Sequence, residues 1–165
     1  MFFKYVLLLF LSLGLILPSH APEDWTRSKQ QKFFPITLKK KDVYLGMTLE
    51  RLRKECPDAK PIANISEFKI EFTEVSQIPG IKYYTYLLTK TADPKLYQIA
   101  IHYEEMEGVQ ARAEALLGKP NHQGEWRMPA KEIKEYFDMG VWTFGHKWVY
   151  GATLKDSEWE KGFLN

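Results

Sequence analysis

The chain has 165 residues, 45% of them hydrophobic and 15% aromatic, which supplies one ordinary domain with a core and excludes a disordered polymer. Its 23 Lys and Arg stand against 21 Asp and Glu, and that near balance excludes the broad basic surface on which nucleic-acid binding rests. Cys56 is the only cysteine, which excludes an internal disulfide and any zinc site built on a cysteine pair.

Residues 1–21 read as a signal peptide. Lys4 is followed by an apolar run over 5–17, then Pro18, then small residues at Ser19 and Ala21 where a leader peptidase reads them. The run falls short of the roughly 20 apolar residues of a permanent membrane span. The predicted location is therefore periplasmic or secreted. Pro22 stands on the leaving side of the cut and hinders it, so the alternative is an uncleaved chain anchored by its N-terminus. No cysteine near the leader's end is available to accept a lipid.

Residues 22–41 form a basic leash that becomes an edge strand. Arg27, Lys29, Lys32, Lys39, Lys40 and Lys41 face only Glu23 and Asp24. Such a stretch suits either contact with an anionic membrane surface or a solvated linker with lysine-guarded edges. Residues 33–38 have strand composition, and Pro35 confines them to a sheet edge.

A single α+β domain is predicted over 42–165. Leu49, Leu52 and Cys56 share one face of a helix that Thr48 caps and Pro57 ends. Strands follow, with Phe68, Ile70 and Phe72 alternating against polar residues, then 81–89 and 96–103, in an antiparallel meander. A second helix covers about 106–117, with Gly118 and Pro120 terminating it. Trp126 falls in a strand. Residues 129–137 fit a helix or a strand, with a lean to strand. The last element is a hairpin over 141–150 whose Gly145-His146 loop suits a type II′ turn, placing Trp142 opposite Val149 and Thr143 opposite Trp148.

The stretches 46–57 and 108–120 echo one another, each with a glycine before a helix and a proline after it, so the domain reads as a degenerate tandem repeat. The pattern Leu45-Gly46-Met47-Thr48, Leu117-Gly118-Lys119-Pro120 and Trp126 resembles the small exported domains of the SmpA/OmlA and β-lactamase-inhibitor type. The resemblance spans about 43–153. It implies two helices packed on one face of a curved antiparallel sheet of about five to seven strands, and a function in binding other proteins: envelope assembly machinery or hydrolases. The chain departs from the SmpA/OmlA pattern in lacking the lipid-bearing cysteine.

No catalytic signature appears. His102 alternates with the apolar side of its strand and is expected to be solvated. His146 lies in a turn, and His122 lies among loop residues. Ser66, Ser76 and Ser157 lack a nucleophile-elbow context. Cys56 sits at a helix C-terminus, where the dipole disfavours a thiolate. No cofactor or metal is predicted. Aromatic residues of the last forty positions remain as candidate partner-binding groups: Trp126, Trp142, Trp148 and Tyr150. The predicted function is a non-enzymatic protein-binding domain. The alternative is a small-molecule or lipid carrier, which would enclose an apolar pocket of a few hundred Å³.

Overall fold

The computed structural model describes residues 29–63 and 66–163. The leader, the cut before Pro22 and Arg27 lie outside the described residues. Seven strands make one antiparallel sheet: β1 (Lys60–Pro61), β2 (Lys69–Val75), β3 (Ile81–Thr89), β4 (Leu96–Tyr103), β5 (Trp126–Met128), β6 (Met139–Phe144) and β7 (Lys147–Ala152). Their order across the sheet is β1-β2-β3-β4-β7-β6-β5. Four helices accompany them: α1 (Ile36–Lys39), α2 (Leu49–Glu55), α3 (Val109–Leu117) and α4 (Ala130–Ile133). The class is α+β with an open antiparallel sheet. α2 and α3 each precede an antiparallel run, and the last strands of the two runs, β4 and β7, pair at the sheet's centre.

One face of the sheet carries the core. Tyr84, Tyr86, Ile99, Ile101, Trp148 and Tyr150 align across β3, β4 and β7 and are buried. Leu52 of α2 and Val109 and Ala113 of α3 join them, as the sequence periodicity requires. Thr48 caps α2 by accepting from the Arg51 amide at 3.1 Å. α3 ends at Gly118, whose φ of 78° is easily reached only without a side chain. Gly145 has a φ of 55° and His146 does not share the positive region, as a type II′ turn demands. The hairpin register is as predicted, with Trp142 opposite Val149 and Thr143 opposite Trp148.

Three local expectations are corrected. Residues 33–38 form no edge strand: a 3₁₀ turn at Gln31–Phe33 leads into α1, with Pro35 at its N-cap. Proline presets the φ of a helix start, and Phe34 and Leu38, four residues apart, both enter the core. The leash is thus tied in at Gln30, whose buried amide donates to the Leu45 carbonyl at 3.0 Å and accepts from the Leu45 amide at 2.8 Å. Within 129–137 the chain is helical over α4, with Pro129 at its N-cap and Ile133 buried; a left-handed Lys134 ends the turn, and Phe137 is buried from the bend beyond it. Asp138 accepts from the Ala130 amide at 2.7 Å and so holds the start of α4. Phe68, expected to share the apolar face of β2, lies before the strand and is 73% exposed.

Candidate functional site

Three of the four aromatic candidates are core. Trp126 is buried, and its indole N–H donates to the Gly118 carbonyl at 2.9 Å, closing the end of α3. Trp148 stacks on Tyr150 at 5.7 Å. Tyr150 is fully buried and donates to the Phe33 carbonyl at 3.0 Å. Packing makes their surface inaccessible to a partner while the fold is intact. Trp142 is different: it stands half-buried on the sheet face that no helix among the described residues covers.

That face holds an open trough of about 680 Å³ running across β2, β3, β4, β7 and β6. Its floor is the second set of alternating positions: Thr85, Leu87, Ala100, His102 and Val149, all buried. Tyr83 and Lys69 rise on one flank and Trp142, Phe144 and Trp159 on the other. Phe144, at the hairpin tip, is 75% exposed. The rim mixes charges, with Lys147 and Glu125 towards one end and Lys69 and Glu71 towards the other.

The aromatic flank is built on a pair of glycines. Gly140 of β6 and Gly151 of β7 are directly opposite one another in the ladder. A Cβ on Gly151 would meet the Trp142 ring at 2.9 Å, and one on Gly140 would meet Phe163 at 3.0 Å. The bare backbone therefore lets these rings lie flat against the sheet. The C-terminal segment folds back to fill the space: Trp159 packs edge-on to Trp142 at 5.5 Å and donates from its indole nitrogen to Gln98 at 3.2 Å. Phe163 lies beneath the Arg127 guanidinium at 4.5 Å, while Arg127 is also paired with Glu125. The sequence reading missed this cluster; the available signal was a glycine at matched positions of both hairpin strands.

His102 is not solvated. It stacks on Tyr83 at 4.0 Å, and its Nε2 is hydrogen-bonded to the Thr85 hydroxyl at 3.0 Å. Burial, reinforced by Lys147 and Lys82, lowers its pKa to about 4, so the ring is neutral at neutral pH. The alternation that placed His102 opposite the apolar side was right about its face. That face, however, is itself enclosed by tall side chains at its flanks.

Cys56 is buried at the end of α2, 3.6 Å from the Tyr86 hydroxyl, which donates to Glu74 at 2.8 Å. Lys41 completes the chain by pairing with Glu74 and lying over the Tyr84 ring. Burial pushes the thiol up to about 11, so this network ties α2 to the sheet and holds no reactive thiolate. It also engages one of the basic leash residues. Lys32 and Lys40 remain exposed, with Lys32 over the Phe33 ring.

No protein family, curated protein or solved structure matches the chain. Among the described residues, no group of three or more His, Cys, Asp or Glu side chains is placed to hold a metal ion. No helix among them is long and apolar enough to cross a membrane.

Proposed function

We propose that the protein is an exported, non-enzymatic binding domain that receives a protein partner on the helix-free face of its sheet, in envelope assembly or hydrolase inhibition. One observation carries this reading: Trp142, Trp159 and the exposed Phe144 flank an open trough of about 680 Å³ that no helix among the described residues covers. Aromatic side chains with one polar end are favoured interface anchors, and rims of mixed charge surround such anchors. The trough is open along its length and partly polar, which suits an inserted loop better than an enclosed apolar ligand. The resemblance to the SmpA/OmlA and β-lactamase-inhibitor type points the same way, with the contact surface moved from the aromatic hairpin core to the trough.

A photo-crosslinking residue in place of Phe144 tests the reading, with Tyr136, 72% exposed and outside the trough, as the control position. In envelope extract, one discrete adduct from position 144, weakened at least tenfold by Trp142→Ala, is the expected result. Equal adducts from both positions, or none from 144, would sink it.

A further inference from the structure

A second cavity lies on the opposite, helix-bearing side of the sheet. It is an open cleft of about 440 Å³ between α1, α3 and the β2–β3 turn. Its walls are Pro35, Pro79, Ile81 and Leu116, with Trp148 and Tyr103 behind them. Leu116 of α3 is 37% exposed, so the cleft leaves apolar surface of that helix unfilled.

The charge of the cleft is of one sign among the described residues. Arg112 of α3 is its only charged wall residue; the guanidinium lies over the Tyr103 ring at 5.1 Å and makes no ion pair among the described residues. Among the described residues, no acidic side chain lines the cleft. Two further wall residues carry buried polar atoms without a partner: the indole nitrogen of Trp148 and the hydroxyl of Thr37. A guanidinium without an ion pair among the described residues, in an otherwise largely apolar cleft, selects a ligand with an anionic oxygen-bearing head and an apolar tail.

We infer that this cleft binds a single-chain amphipathic carboxylate, of fatty-acid type, with its head on Arg112 and its alkyl chain along Ile81 and Leu116. The site is separate from the trough on the other face, and neither depends on the other. The trough, with lysines and glutamates on both rims, has no such preference of sign.

Calorimetric titration of the purified chain with hexanoate, octanoate and decanoate, each below its micelle concentration, tests the assignment. Saturable one-to-one binding is expected, with affinity rising about fifteenfold for each two methylenes added. Decanol should bind about tenfold more weakly than decanoate. Arg112→Gln should bring decanoate down to the level of decanol and leave decanol unchanged. Leu116→Asp should weaken both. Both residues are exposed, so neither variant threatens the fold, and circular dichroism checks this. Amide shifts on decanoate addition should cluster at residues 35–37, 79–81 and 112–116. The inference is overturned by absence of saturable binding, by an Arg112→Gln variant that binds decanoate as well as the parent, or by shifts that map to Trp142 and Phe144. Binding confined to phospholipid vesicles, with no uptake of free decanoate, overturns it as well.

Discussion

His102 is the residue whose burial has the clearest thermodynamic signature. Folded, the ring takes up a proton only below about pH 4; unfolded, it does so near 6.5. Between these values the unfolded chain binds a proton that the folded chain does not, so acid favours unfolding. The contribution is fully present above pH 6.5 and is lost as the pH falls towards 4. Its size is on the order of 2 kcal/mol, allowing for solvent reaching the ring from the trough. Urea unfolding at pH 4.5 and 7 should show this difference, and His102→Gln should shrink it; an unchanged slope would exclude His102 as its source. Gly151 is the second residue with a specific expectation. Its φ is ordinary, so the constraint is the ring above it rather than the backbone. Gly151→Ala drives a methyl into Trp142, costs about 1–3 kcal/mol and changes the Trp fluorescence. An alanine variant of parental stability and spectrum would mean that Trp142 does not lie flat on the sheet.

At the level of elements, helix ends were readable where a side chain or a glycine supplies the stop. The Thr48 cap, the Gly118 terminus and the Gly145 turn are local chemistry, and a local pattern suffices to find them. Thr48→Ala should accordingly cost about 1 kcal/mol, or 2–4 °C in Tm by thermal melting. A loss of under 0.3 kcal/mol would show that packing of Leu52 alone holds α2. Pro35 and Pro129 were read in the opposite sense. Pro35 points to a sheet edge and the stretch from Pro129 fits helix or strand with a lean to strand, yet each proline opens a single turn of helix. Such a turn is too short to show a periodicity. What decides it is tertiary: each turn carries one buried side chain into the core, Leu38 or Ile133, while Phe34 and Phe137 enter it from the non-helical residues alongside.

At the scale of the molecule, composition and alternation were enough for the class, the antiparallel meander and the hairpin register. They were not enough for which aromatic residues face outward, because both sides of β6 and β7 are rich in rings and the difference rests on what lies across from them. Trp148 and Tyr150 meet α3 and the Phe34 segment, whereas Trp142 meets Gly151 and a returning C-terminal turn. That distinction is non-local and has no signature in either strand alone.

The pairing of β4 with β7 has a further consequence during synthesis. β4 is complete at Tyr103, but its second hydrogen-bonding edge is not covered until β7 has been made, through Ala152. For that interval a nascent chain presents an eight-residue strand rich in isoleucine and tyrosine with one row of peptide groups unpaired. Fragments ending near residue 105 should therefore self-associate, and adding a peptide of residues 139–154 should suppress this by supplying the missing hairpin. Light scattering distinguishes the cases: a fragment that stays monomeric without the peptide would show that the first half protects its own edge.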